Sequence, residues 1–482
     1  MSVLDWAMLG LYFAILILIG YQTIKRVRNS HDFAVAGNRI IWPVFFGSLA
    51  ASFLGGGASI GNASRTAEDG YVYFFAFSAF AVSAFLVGAF VAPYLKRYVN
   101  AHTIGDIMEA HYGRASRLIT GVLSLLVCTG ILGAQALAVG VVVNMTVGVA
   151  LVPAIIIGMS IVVLYSTFGG AWAVIQTDML QFVFLGLLLP VTLLIGLFHV
   201  GGAEGLMASV PDGQAGIIGE FSAPVFIGLF LAFLLGETLV PPYAQRAFST
   251  PDSAHARKGM MLTGAFSLLF YFVTATLGLV ALALFPDRIG EGEAIPAIVT
   301  ELLPIGLSGL AVAALLAVVM STASSYLNSC AVVFLKDVYR PFIHPGVGAR
   351  TQLVLSRVLT LVVGAGAILF AVSVPGIVDI LLYSYAFWAP TVVIPLLAAL
   401  VWRIRSAPAA LSAIAAGGAV TCVWDWILPD TAKPEALAAW DGLVFGVLAN
   451  LLVFVVVAYA TRHRNERLPE APYEGELTKE LT

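Results

Sequence analysis

"AASFLGGGASIGNAS", residues 50–64, decides how this chain is read. The stretch lies in an apolar segment running from Ile40 to about Ala63, long enough to cross a hydrocarbon core, and three consecutive glycines stand at its middle. Glycine frees the backbone from regular helix. Inside a membrane, unwound backbone persists only where protein or a water-filled cavity satisfies its polar groups. Close packing of two helices is the simpler use of such glycines. A discontinuous span that turns its carbonyls toward a ligand is the other.

Outward from this stretch the chain keeps the same character. Of its 482 residues 60% are hydrophobic and only 11% are charged. Thirteen apolar segments are expected to span a bilayer, at about 4–24, 40–65, 71–95, 117–145, 150–167, 172–199, 223–248, 258–285, 305–335, 352–374, 376–402, 407–427 and 437–461. No basic region precedes the first segment and no small-residue cleavage site follows it, so it reads as a retained helix. The reading is therefore an all-α polytopic membrane protein. It forms one transporter domain over residues 1–462, followed by a polar tail over 463–482.

Lysine and arginine set the orientation, because short cytoplasmic loops hold the excess of positive charge. With thirteen spans, 21 of the 24 fall on the side reached after the first helix, and only Arg65, Arg288 and Lys433 on the other. The N-terminus is expected outside and the C-terminus in the cytoplasm. The formal net charge of −3 and the lack of a basic stripe exclude a nucleic-acid partner. Cys128, Cys330 and Cys422 lie far apart in apolar segments and read as buried thiols. The seven histidines fall in loops or at helix ends, and no nucleophile with a base is visible in the spans, so the chain is not read as an enzyme.

A second interruption lies five helices after the first. "FLAFLLGETLVPPYAQR", residues 230–246, carries Gly236 and then Pro241 and Pro242, which remove backbone donors and break a helix. Transporters built from inverted repeats place discontinuous helices at matching positions in each half. Residues 40–199 and 222–402 thus read as two inverted five-helix repeats, with the first helix and the two helices over 407–461 peripheral.

Opposite the glycine break, "STASS" at 321–325 puts four hydroxyls on little more than one helical turn. Hydroxyls and freed carbonyls together suit a hard cation. Intramembrane carboxylates are functional candidates by default. Asp178 begins the sixth span and Glu237 adjoins the second break. Arg65, at the outer mouth, reads as an interfacial anchor or as an attractor of carboxylate.

These features resemble the sodium/solute symporters, which include bacterial proline, pantothenate, sialic acid and galactose carriers and, less closely, choline carriers. The likeness rests on "GGAWAVIQTDMLQ" (169–181), "AVVMSTASSYLNSCAVVFLKDVYRPF" (317–342), "YAQRAFSTPDS" (243–253), "FAVAGNRI" (33–40) and "TIGDIMEAHYG" (103–113). The resemblance implies a LeuT-type fold and Na⁺ as coupling ion. It places a first Na⁺ on the carbonyls of Ala51, Leu54 and Val318 and the hydroxyls of Ser321 and Thr322. A second Na⁺ site is implied at Asp178, Ser324 and Ser325. The implied solute cavity is lined by Phe53, Gly56, Gly57, Ala58, Phe77, Gln135, Glu237, Pro241 and Tyr385. Phe53 and Pro241 stand where choline carriers have tryptophans, which disfavours a quaternary-ammonium box. The expectation is a plasma-membrane symporter, in a bacterial inner membrane, working as a monomer on a small organic solute such as an amino acid or carboxylate. A transporter-like sensor is the alternative, and its signalling partner would be a separate chain, since no kinase module follows Arg462.

Overall fold

The computed structural model describes residues 1–24, 35–98, 101–374 and 376–462. The described residues are helical and connected by short loops. The polar tail 463–482 and the basic residues Lys25, Arg26, Arg28, Arg464, Arg467 and Lys479 used in the orientation count lie outside them. The long helices are α1 (Val3–Ile24), α2 (Trp42–Phe53), α3 (Asn62–Asp69), α4 (Val72–Phe90), α5 (Arg114–Val147), α6 (Leu151–Val200) and α7 (Ala223–Gly236). They continue as α8 (Pro241–Phe248), α9 (Ser253–Leu284), α10 (Leu307–Val333), α11 (Ala349–Ser373), α12 (Ile377–Tyr385), α13 (Ala407–Cys422) and α14 (Gly442–Ala460).

By length and apolarity ten of the described helices can cross a membrane, or eleven when the bent pair α2 and α3 counts as one span. Two shorter apolar helices, Val3–Ile19 and Leu151–Leu164, fall below that length, so ten or eleven of the thirteen expected spans meet it among the described residues. The segments expected at 150–167 and 172–199 fall in one helical element, α6, whose apolar stretches are Leu151–Leu164 and Ala171–Val200.

Two further departures concern charge. Arg117 and Arg246, assigned from sequence to the solvated cytoplasmic boundary, are each only 6% exposed. Arg117 is held by Asp106 at 2.6 Å, by Asp337 at 3.1 Å and by Glu109. Asp106 itself is fixed by the capping box that starts the short helix Ile104–Tyr112 after Thr103. A guanidinium buried among carboxylates belongs to the packed interior, not to a loop. Arg65 at the other end pairs with Asp379 at 2.7 Å and lies 3.5 Å from Glu68 and 4.0 Å from Glu291, so it joins α3 to α12 instead of anchoring the chain in the headgroups.

The helix α10 runs through the centre with almost every residue buried. Its alanines and small polar residues let α2, α5, α6 and α8 come close. Against it lie three interruptions. The first follows α2: Leu54 closes the helix with its N–H on the Ala50 carbonyl (3.1 Å), and Gly57–Gly61 form a wide turn leading into α3, with the axis bent by 60°. Glycine is required here by close approach. A Cβ at Gly55 would lie 2.7 Å from the Thr322 Oγ1 and 2.9 Å from the Gln135 Oε1, and one at Gly57 would collide with Leu381. The second separates α7 from α8: Glu237 to Val240 leave the helix, Leu239 adopts φ +53°, and Pro241 and Pro242 begin α8. A positive φ at a branched residue is strained, and its surroundings hold it there. The third ends α12 at Tyr385. The Trp388 Nε1 just beyond donates to the Thr238 carbonyl at 2.9 Å, tying the third break to the second.

Candidate ion and solute site

Where α2 ends, its last carbonyls meet the hydroxyls of α10. The Ser321 Oγ donates to the Ala51 carbonyl at 2.8 Å and to its own helix at Val318 at 2.9 Å; the Thr322 Oγ1 donates to the Ser52 carbonyl at 3.0 Å and to Val318 at 3.3 Å. Ala51, Leu54, Val318, Ser321 and Thr322 are all at most 2% exposed. Of the first expected ion site, Ala51, Val318, Ser321 and Thr322 are joined in a buried cluster of neutral oxygens, with Ser52 added through its carbonyl and Leu54 beside them at the end of α2. A hard cation entering it would replace the hydroxyl-to-carbonyl hydrogen bonds, and oxygen donors of this kind suit Na⁺.

One turn further along α10, the expected second set meets a cation that belongs to the chain. The Arg246 Nη2 donates to the Asp178 Oδ2 at 2.8 Å, to the Ser52 Oγ at 2.7 Å and to the Ser325 Oγ, while its Nε donates to the Ser48 Oγ at 3.0 Å. Ser48 in turn donates to the Asp178 Oδ2 at 2.6 Å. Asp178 is fully buried, and its Oδ1 has no hydrogen-bond partner among the described residues. Ser324 does not join: its hydroxyl turns back to the Ser321 carbonyl at 3.1 Å. Sequence reasoning missed Arg246, Ser48 and Ser52. The signal for Arg246 was present, since an arginine inside the apolar segment 223–248 is expensive in lipid and marks a function.

The expected solute-lining residues gather between the first two breaks. The Gln135 Oε1 accepts the Gly56 N–H at 2.7 Å, which satisfies one donor that the break exposes. Phe53 lies against Tyr243 with ring centroids 4.9 Å apart, Phe77 stacks on Phe233 at 4.2 Å, and Phe80 meets Tyr385 edge-on at 5.9 Å. Gly57 and Ala58 sit buried in the wide turn, and Pro241 is buried at the start of α8. Glu237 receives three phenols: Tyr385 donates to its Oε1 at 2.7 Å, and Tyr326 (3.3 Å) and Tyr243 donate to its Oε2. Tyr243 and Tyr326 are additions to the expected set. Each comes from a helix, α8 or α10, that the sequence reading had already placed beside the break.

Comparison with known proteins places the fold and the family. Similar chains include the sodium/myo-inositol cotransporter 2 of Sus scrofa, 27% identical over 94% of this chain and 76% of the relative. The sodium/glucose cotransporter of Vibrio parahaemolyticus is 24% identical over 96% and 91%, and the osmoregulated proline transporter of Bacillus subtilis 23% identical over 93% and 94%. Among solved structures, a Na⁺-coupled sialic acid symporter in a substrate-bound outward-open state superposes with a TM-score of 0.81 at 18% identity, covering 95% of this chain and 98% of that one. These relatives are transporters, not enzymes. The sequence profile of the sodium:solute symporter family matches residues 33–417, and the chain belongs to that family.

Proposed function

We propose that this protein is a Na⁺-driven importer of a small organic solute, working by alternating access, and that its coupling ion binds to Ala51, Leu54, Val318, Ser321 and Thr322. One observation supports this above the others: the hydroxyls of Ser321 and Thr322 rest on the carbonyls at the end of the broken α2. An ion held there joins α2 to α10, so loading the site stiffens the contact between the two elements that must move against each other. We read thirteen spans with the N-terminus outside, the two repeats at 40–199 and 222–402, and a bacterial inner membrane as the place of work, on the lysine and arginine distribution given above.

In the conformation described, one Na⁺ is the reading the geometry favours. The position expected for a second ion, at Asp178 and Ser325, is taken by the Arg246 guanidinium, and a second ion enters only if Arg246 withdraws.

The test is Na⁺ binding to the purified protein and Na⁺-driven uptake in proteoliposomes. Thr322→Val together with Ser321→Ala is expected to weaken Na⁺ binding at least about tenfold, the effect of losing ~1.4 kcal/mol. Uptake that is indifferent to a Na⁺ gradient, or Na⁺ binding unchanged in the double variant, refutes the reading.

A further inference from the structure

Two carboxylates lie in the middle of the helix bundle and are treated differently. Asp178 has Arg246. Glu237 has no lysine or arginine paired with it among the described residues; it has only the three phenols of Tyr243, Tyr326 and Tyr385. Phenols stabilise a carboxylate by hydrogen bonding but leave its charge in place. Glu237 is half-buried as a residue, while the three rings that hold its carboxylate are buried.

The surroundings discriminate by charge. In a broken membrane helix the free N–H groups at the start of the second half attract an anionic group. Here the second half, α8, starts with Pro241 and Pro242, which have no N–H, and Glu237 stands four residues before Pro241. At the other break the Gly56 N–H is already given to Gln135. An anionic head therefore meets a carboxylate and few donors.

A polyol is poorly served as well, because the phenol hydrogens face Glu237 and most of the remaining wall is phenylalanine. Phe53, Phe80 and Phe233 continue the ring cluster from Tyr243 and Tyr385. Aromatic faces attract cations. The Tyr385 ring lies against Gly236, where any Cβ would strike it, which brings the Tyr385 hydroxyl onto the Glu237 Oε1.

We infer that the solute is a protonated amine whose ammonium group pairs with Glu237 inside the Tyr243, Tyr326 and Tyr385 ring set. This rests on the solute site proposed above and names its substrate class. The three phenols hold the carboxylate in place before the ligand arrives. The ammonium then supplies the positive charge the site lacks, in a dry environment where a charge-assisted hydrogen bond is strong.

The test uses the purified full-length protein and matched probes in which only the head changes: amine, alcohol and carboxylate on methyl, isobutyl and phenylethyl skeletons. Each is screened for thermal stabilisation in Na⁺ and in K⁺. The expected result is stabilisation by amines and not by their alcohol or carboxylate counterparts, with the apparent affinity falling at least about tenfold in Glu237→Gln. Glu237→Asp, which keeps the charge but shortens the side chain, is expected to retain the preference for amines with weaker affinity, and it serves where the Gln variant does not fold. Stabilisation by carboxylates or alcohols instead, no amine effect on any skeleton, or amine binding unchanged in both variants overturns the inference. Stabilisation by Na⁺ over K⁺ without any probe, read in the same plates, tests the symporter reading separately. If it is present while the amines fail, only the assignment of Glu237 falls.

Discussion

Replacing Arg246 by glutamine separates an internal cation from a sodium ion. The guanidinium serves Asp178, Ser48, Ser52 and Ser325 at once, in surroundings where Asp178 has no exposed surface. Removing it leaves a buried carboxylate without a counter-charge, a loss of about 3–5 kcal/mol for a pair of this kind. The variant is therefore expected to be markedly less stable than the parent in K⁺. In Na⁺ the freed oxygens of Asp178 and Ser325 can take an ion, and at a concentration 100 times its dissociation constant the ion returns ~2.7 kcal/mol.

Arg246→Gln should thus be rescued by Na⁺ far more than the parent is. The Hill coefficient for Na⁺ should rise from about one toward about two as a second site becomes available. Asp178→Asn combined with Arg246→Gln removes both charges and is expected to unfold later than Arg246→Gln alone, a coupling the double-mutant cycle measures. The assay is thermal unfolding of the detergent-purified protein across a Na⁺ titration at constant ionic strength balanced with K⁺. A parent Hill coefficient near two with Arg246 intact, or a variant whose Na⁺ dependence equals the parent's, refutes the reasoning.

Two other outcomes follow from local geometry. Gly55→Ala places a methyl 2.7 Å from the Thr322 Oγ1 and 2.9 Å from the Gln135 Oε1, so α2 and α10 are pushed apart at the ion site. Stabilisation by Na⁺ over K⁺ should drop at least about tenfold in apparent affinity, and an unchanged Na⁺ titration counts against the site. Lys96, beyond the end of α4, donates to the Phe248 and Thr250 carbonyls at 2.9 and 2.5 Å and is pushed down to about 8 by burial, with Asp252 only partly holding it up. Between that value and the ordinary lysine pKa of about 10.4 the unfolded chain binds more protons than the folded one, so stability contributed here rises with pH across this window. Lys96→Met should flatten the unfolding midpoint between pH ~8 and ~10; a slope that survives the substitution assigns it to another group.

The breaks were legible because they depend on residues whose backbone chemistry is local. Gly55 to Gly57 and the pair Pro241 and Pro242 announce themselves without any knowledge of neighbours, and four hydroxyls in "STASS" are visible in a single turn. The ion site followed from those two facts and a family likeness. What stayed hidden was pairing across distance. Arg246 and Arg117 look like boundary charges until Asp178 and Asp337 are brought to them from remote segments. Glu237 was recognisable as an intramembrane acid, but nothing local says that its partners are phenols from α8, α10 and α12 and not a base.

On the proposed reading of one Na⁺ and an amine held at a charged Glu237, the contrast between the two carboxylates sets how the membrane voltage drives both halves of the transport cycle. The Asp178 and Arg246 pair sums to zero whether or not the carrier is loaded, and the first ion site is built from neutral oxygens. On that reading the empty solute site holds one negative charge, at Glu237. Loaded with Na⁺ and an amine, the same region holds one positive charge. An inside-negative potential then pulls the loaded form inward and pushes the empty form outward, by up to ~2.3 kcal/mol per 100 mV in each direction. Two charges enter per turnover, and neither half-cycle is left without an electrical drive. A carrier of that kind would have the electrical drive of a two-sodium symporter while binding a single sodium, without the second ion's concentration gradient, because its cargo is itself the second charge.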